Sequence, residues 1–290
     1  MPARVFTRAV PGVLALALTS CGGDRPAADP GGGRPARDQT ASAPPNVLTV
    51  TAADYAYVAP SEIPAGLTAI RLINKGPSPH HIQLVKLGEG KRLEDLLGAL
   101  KGEKFPAWAT VAGGPAPPEV GDTSTAIQML EPGTYALICF IPAADGMPHV
   151  MRGMSSELEV VGSVEPGAKA PEPDIVVKLT DYDFELSTPL TPGKHTIRVE
   201  NAGPQPHEIA IIRLHPGKKP MDFAAWGMKQ VGPPPGTIHG GLSGIMPGTD
   251  ALVEVDLPPG EYGLICFLPD AKDGKPHFMH GMAKQTTVAS

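Results

Sequence analysis

Four side chains able to hold a soft metal occur in the same order twice along this chain. His80, Cys139, His149 and Met154 return as His207, Cys266, His277 and Met282, so each half carries two imidazoles, one thiol and one thioether. The spacing is Cys-x9-His-x4-Met in the first half and Cys-x10-His-x4-Met in the second, with the upstream histidine 59 residues before the cysteine in both. These are the ligands of a blue-copper centre: thiolate and imidazole favour copper over hard cations, and a trigonal His2Cys set with a long, weak thioether suits one-electron transfer. Zinc would accept the cysteine and histidines but leaves a methionine at a fixed offset without a role. A Cys/His hydrolase would leave both the methionine and the duplication idle. A disulfide between Cys139 and Cys266 would join equivalent places in two domains, an improbable docking, and inert burial does not explain the accompanying ligands.

The elements that must position these groups are written as a repeat with an offset of 127. Asp54-Tyr55-Ala56-Tyr57 matches Asp181-Tyr182-Asp183-Phe184; Asn74, Gly76, Pro77, Pro79 and His80 match Asn201, Gly203, Pro204, Pro206 and His207. Pro132-Gly133 through Cys139-Phe140 likewise matches Pro259-Gly260 through Cys266-Phe267. Between these anchors the two tryptophans suggest a drift, because His80 to Trp108 is 28 residues and His207 to Trp226 is 19. That pattern reads as a tolerant insertion zone with Trp108 and Trp226 as aligned core anchors. Short alternating runs bounded by Gly and Pro predict strands at 47–51, 69–73, 82–87, 126–130 and 135–139, and again at 175–179, 196–200, 209–213 and 251–255. Leu93, Leu96, Leu97 and Leu100, at i, i+3, i+4 and i+7, predict a helix within the insertion zone. The expected fold is all-β: two tandem Greek-key β-sandwiches with short helical insertions.

At these residues the chain resembles the cupredoxins, the type 1 copper β-sandwich family, over both halves. The loop from Cys139 through His149 to Met154 looks most like the long loop of the type 1 domain of copper nitrite reductases. The resemblance implies equatorial His80 and His149, thiolate Cys139 and axial Met154, and likewise His207, His277, Cys266 and Met282, with up to two type 1 coppers cycling between Cu(I) and Cu(II). Two positions depart from the family pattern. His81 and Glu208 stand where many cupredoxins place a small polar residue hydrogen-bonded near the thiolate. Ile138 and Ile265 precede the cysteines where copper nitrite reductases and multicopper oxidases place a histidine leading to a catalytic copper.

The first residues concern export. Arg4 and Arg8 precede the apolar run Val13–Leu18, which reaches Thr19-Ser20-Cys21 and is too short to span a bilayer permanently. The segment resembles a lipoprotein signal peptide of 1–21, with Cys21 as the lipidated residue. Residues 22–46 carry almost no large apolar side chain and read as a disordered tether; 162–173 reads as a linker between a domain at 47–161 and another at 174–290. The expected location is therefore the bacterial cell envelope, periplasm or cell surface, with membrane attachment through the N-terminal lipid only.

A formal charge of −6 gives no electrostatic footprint for nucleic acid. Gly 34 and Pro 35 among 290 residues, with few aromatics, fit turn-dense β structure. These features together imply an electron carrier rather than an enzyme, with redox partners such as c-type cytochromes or copper oxidases. The competing readings are a Cu(I)-handling lipoprotein, in which the Met-rich loops carrying Met147, Met151 and Met279 or His81 and His280 supply transfer ligands, a nitrite-reductase-like oxidoreductase with a further copper drawn from His81, His239 or His280, and a metal-free interaction module. His81, His195, His215, His239 and His280 lack a histidine counterpart in the other half and read as surface or packing residues; the three methionines read as filling around the site.

Overall fold

The computed structural model describes residues 43–102, 105–164 and 167–289. The proposed signal peptide, Cys21 and nearly all of the tether lie outside the described residues. In the first half, β1 (Asn46–Ala53), β2 (Ala56–Val58), β3 (Glu62–Pro64), β4 (Gly66–Asn74) and β5 (Gln83–Leu87) precede α1 (Leu93–Ala99). After it come β6 (Ala109–Val111), β7 (Thr123–Leu130), β8 (Gly133–Ile138), a 3-10 turn at His149–Arg152, and β9 (Ser155–Val161). The second half repeats this with β10 (Ile175–Thr180), β11 (Asp183–Leu186), β12 (Gly193–Asn201), β13 (His207–Leu214), α2 (Pro220–Gly227), β14 (Gly236–Ile245), β15 (Asp250–Leu257), β16 (Gly260–Ile265), a 3-10 turn at His277–His280, and β17 (Ala283–Val288).

Each half is a two-sheet sandwich. In the first, β7-β4-β1-β2 faces β3-β9-β8-β5-β6, with β1 parallel to β4 and β3 parallel to β9; in the second, β11-β10-β12-β15 faces β14-β13-β16-β17. Alternation decides which side chains enter the core: Leu48, Val50 and Ala52 of β1 meet Ile70 and Leu72 of β4 and Leu137 of β8. The strand that ends at Cys139 is different, because Tyr135 through Ile138 are all buried. Its odd residues face the sandwich interior, while Ala136 and Ile138 face a second cluster with Leu96 of α1. β16 repeats this, with Ile265 packed beside Phe223 and Ala224 of α2. A strand covered on both faces holds the cysteine position against slippage, since a one-residue shift would exchange two buried sets.

The helices correct the expectation of a drifting insertion zone. α1 begins at Leu93 and α2 at Pro220, again 127 apart, and both are started alike: the Arg92 N–H donates to Asp95 (2.9 Å) and the Lys219 N–H donates to Asp222 (2.8 Å). The tryptophans are not equivalents. Trp226 lies inside α2, whereas Trp108 lies after α1, just before β6; both are partly buried on the outer clusters rather than anchoring the sandwich interiors.

The two halves join edge to edge around a pseudo-two-fold axis. β7 pairs antiparallel with β15 through Thr125–Glu254, Ala126–Val253 and Ile127–Leu252, making one eight-stranded sheet. The central pair consists of two residues related by the 127-residue offset. In the facing layer Ala112, Pro115 and Pro118 bridge to Ile245, Leu242 and His239, and Pro115–Leu242 is again such a pair. Glycine is required at both ends of this contact: a Cβ at Gly114 would lie 2.4 Å from the Ile82 carbonyl oxygen and one at Gly241 2.0 Å from that of Ile209. Both glycines also have positive φ, +110° and +130°.

Candidate metal centres

The upstream histidine arrives on a stapled loop. At the last residue of β4, the Asn74 side chain accepts from the Gly76 N–H (3.0 Å) and donates to the Ser78 carbonyl (2.9 Å); Asn201 makes the same two bonds to Gly203 and Gln205. Prolines on this loop fix φ where no N–H is needed by a sheet. The cysteine stands at the first position past β8 or β16, and its carbonyl accepts from the Val150 N–H (2.8 Å) or the Phe278 N–H (3.0 Å) of the following 3-10 turn. His149 and His277 open those turns after a proline, with N–H groups donating to Ile141 and Leu268 (both 2.9 Å). Gly153 and Gly281, at φ +98° and +110°, end the turns and let the chain reverse, so that the Met154 and Met282 N–H groups reach the His149 and His277 carbonyls (both 3.0 Å). The second loop's extra residue is absorbed between Asp270 and Lys275, which bond as Ala143 and Met147 do.

These constraints bring His80, Cys139 and His149 together, and separately His207, Cys266 and His277, with one ligand atom from each within 4.8 Å of the others. The Nδ1 atoms of His80 and His149 are 3.2 Å apart and Cys139 Sγ is 3.5 Å from His149 Nδ1; the second site has 3.1 Å and 3.3 Å. Both cysteines are free thiols, and all six groups are essentially solvent-free. Met154 and Met282 are fully buried and pack in the same clusters as Cys139 and Cys266. The structure thus brings together the two histidines and the cysteine of each repeated set, with the methionine in the same buried cluster as its cysteine.

Burial pushes the Cys139 thiol up to about 12 and the Cys266 thiol well above its ordinary value, while burial, followed by the neighbouring upstream imidazole, holds His149 and His277 down at about 4. In this dry pocket the Nδ1 atoms and the thiol of each trio have chiefly one another as partners, at 3.1–3.5 Å. A bound cation replaces these contacts, since it takes the lone pairs and deprotonates the thiol. The donor set of two imidazoles, a thiol and a buried thioether fits copper.

The surroundings account for His81 and Glu208. Each accepts the N–H of the residue after the cysteine: Phe140 to His81 Nε2 and Phe267 to Glu208 Oε1, both 2.9 Å. His81 also reaches across the half–half contact to Ser243 Oγ at 3.4 Å. The tyrosines of the repeated Asp-Tyr motif cover the downstream histidines edge-on, Tyr55 over His149 at 4.8 Å and Tyr182 over His277 at 5.4 Å between ring centres. Sequence spacing alone gives these tyrosines no role; their recurrence at the 127-residue offset is the available signal.

The remaining histidines do not assemble a further trio with one another. His239 and His195 line an acidic groove with Asp174, Glu254 and Asp256, and His215 is exposed. His280 lies near Asp270 and Asp273, but Asp270 already accepts from Tyr182, Gln205 and the backbone, and Asp273 pairs with Lys275. Met147, Met151 and Met279 are 47%, 40% and 58% exposed, so they stand on the rim instead of filling around the sites.

No protein-family model matches this sequence, and no curated protein matches it. Among solved structures, the chain is similar to dithionite-reduced auracyanin from the photosynthetic bacterium Roseiflexus castenholzii, at 20% identity over 40% of this chain and 95% of that one, with a TM-score of 0.29. It is also similar to the copper nitrite reductase of Nitrosomonas europaea, at 15% identity over 84% of this chain and 93% of that one, with a TM-score of 0.24. A multicopper oxidase gives 12% identity over 84% of this chain and 88% of that one, also at a TM-score of 0.24. At these values no argument is drawn from the likenesses, and the all-β architecture of two tandem sandwiches rests on the strand order described above.

Proposed function

We propose that this protein is a copper-binding electron carrier with one type 1 site in each half, His80/Cys139/His149/Met154 and His207/Cys266/His277/Met282. The observation that supports the reading is the convergence, in both halves, of two Nδ1 atoms and a thiol, in a hydrophobic cluster that also holds a buried methionine. Copper, when bound there, supplies a one-electron Cu(I)/Cu(II) couple. The chain supplies the rest: a strand covered on both faces fixes the thiol, a stapled loop and a 3-10 turn fix the imidazoles, and burial excludes water and exogenous ligands. Such pre-set geometry lets the ligands stay in place through a change of oxidation state. Ile138 and Ile265, before the cysteines, sit in apolar clusters with the helices and offer no ligand toward a further metal. That absence favours a carrier over an oxidoreductase.

The proposed setting is the bacterial cell envelope, with lipid on Cys21 as anchor and a redox protein as partner. A formal charge of −6 suits a basic partner such as a c-type cytochrome; a copper oxidase is the other partner class. The rim methionines support a second reading, Cu(I) handling, because exposed thioethers are soft ligands. Copper reconstitution with metal stoichiometry, visible absorption and EPR separates them. Two coppers per chain with an intense thiolate-to-copper band and a reversible redox wave are expected. Tightly bound but colourless copper, readily lost to a chelator, overturns the carrier reading in favour of handling, and no copper at all leaves an interaction module.

A further inference from the structure

Each upstream histidine has a carboxylate behind it. His80 Nε2 is 2.7 Å from Asp54 Oδ1, and His207 Nε2 is 2.6 Å from Asp181 Oδ1. Both rings are fully buried, whereas the carboxylates are 27% and 22% exposed at the side chain, so each aspartate links a dry ligand to the surface. The second carboxylate oxygen is held from the histidine's own loop: Ser78 Oγ donates to Asp54 Oδ2 (3.3 Å) and Gln205 Nε2 to Asp181 Oδ2 (3.1 Å).

The loop glycines bear on the same contact. A Cβ at Gly76 would lie 2.7 Å from His80 Nε2 and 2.8 Å from Asp54 Oδ1; one at Gly203 would lie 2.6 Å from His207 Nε2 and 3.2 Å from Asp181 Oδ1. Neither glycine has positive φ, so space, and not backbone freedom, is what glycine supplies here. The same three-part arrangement stands in both halves although the residue holding the carboxylate differs, serine in one and glutamine in the other.

We propose that Asp54 and Asp181 are positioning residues that keep the proton of His80 and His207 on Nε2, aim Nδ1 into the site, and lower the reduction potential of a copper held there, with Gly76 and Gly203 leaving room for that contact. A carboxylate accepting from Nε2–H fixes the tautomer and raises the basicity of the opposite nitrogen. A stronger donor and a nearby negative charge both stabilise the more highly charged Cu(II) relative to Cu(I), which moves the potential downward. The last part rests on the copper reading; the tautomer part does not.

The test therefore has two arms. In the metal-free protein, nitrogen-15 NMR of the imidazoles is expected to show His80 and His207 protonated at Nε2 only. Asp54→Asn, which keeps an acceptor oxygen but loses the charge, is expected to mix the tautomers of His80 alone, and Asp181→Asn those of His207 alone. Gly76→Ala, which drives a methyl into the contact, should act on His80 as Asp54→Asn does. In the copper-loaded protein, Asp54→Asn should shift the potential of the first site upward and leave the second unchanged, with Asp181→Asn doing the converse. A wild-type proton on Nδ1 overturns the proposal without any variant having to fold. An unchanged potential in a copper-loaded Asp54→Asn protein with an intact thiolate band overturns the electrostatic part. Failure of the wild-type chain to bind copper removes the carrier reading, while the first arm still decides the positioning role.

Discussion

The two sites share a skeleton and differ in what surrounds it. At the first, Tyr57 donates its hydroxyl to the His81 carbonyl beside Cys139, and the guanidinium of Arg152 lies 5.1 Å from the ring centre of Tyr55 while pairing with Asp145. At the second, the buried Phe184 replaces Tyr57, His280 stacks on Tyr182 at 5.0 Å, and Asp273 pairs with His280. A buried Asp270, bonded to Tyr182 and Gln205, stands where the first site has Ala143. Most of the backbone bonds that deliver the candidate donors are repeated, although the Cys266 N–H to Met282 carbonyl bond (3.1 Å) has no counterpart at Cys139, and the larger variation falls on side chains around the donors. Duplicated sites held by one skeleton can thus be given unequal electrostatic surroundings while the His/Cys/His trio keeps its arrangement.

The sharpest way to break this comparison is to remove one thiol. Cys139→Ser should abolish the thiolate-to-copper band of the first site entirely and leave that of the second, with Cys266→Ser giving the mirror result by absorption and EPR; colour surviving both changes would sink the assignment. Next in size are the glycines flanking the pseudo-two-fold axis. Gly114→Ala and Gly241→Ala each force a Cβ into a backbone oxygen at positive φ, and each should cost on the order of 3–5 kcal/mol in denaturant unfolding. Similar losses would show that the two halves share the joint equally; a large loss at one only would show that they do not.

Exchanging the aromatic residues should have smaller and unequal effects. Phe184→Tyr places a hydroxyl in a fully buried apolar setting and should cost about 1–3 kcal/mol. Tyr57→Phe removes one hydrogen bond to the His81 carbonyl and should cost about 1 kcal/mol. Equal costs measured by thermal unfolding would argue that the second site has room for a polar partner after all. The smallest effect is expected at the rim: Arg152→Ala breaks an exposed ion pair and should leave the unfolding midpoint nearly unmoved, because solvent screens such pairs.

Much of this was legible in the sequence because duplication filters chance. A lone buried histidine is ambiguous, but His80 and His207 recur with their cysteine, histidine and methionine, and a solvated surface has no reason to keep that order. The strands at 69–73 and 126–130 and the helix at Leu93 are readable from their periods and fall on β4, β7 and α1, and the run at 135–139 falls on β8 except for its last residue, Cys139. Matching the tryptophans misled, since a large aromatic residue is conspicuous but not bound to one backbone position. The twin pairs Gly113-Gly114 and Gly240-Gly241, also 127 apart, were the better guide through that region, being fixed by backbone contact.

The sequence by itself determined the donor types, their order and their delivery on β structure, because thiol, imidazole and thioether chemistry is local and alternation with Gly-Pro punctuation is short-range. Only the tertiary structure decided three other things: that both nitrogens facing each cysteine are Nδ1, that Asp54 and Asp181 stand behind His80 and His207, and that the halves fuse into one eight-stranded sheet through Ala126 and Val253. Each depends on which atoms meet across 26 to 127 residues of chain. Ring orientation and edge pairing are fixed by packing and hydrogen bonding in three dimensions, which no local pattern encodes.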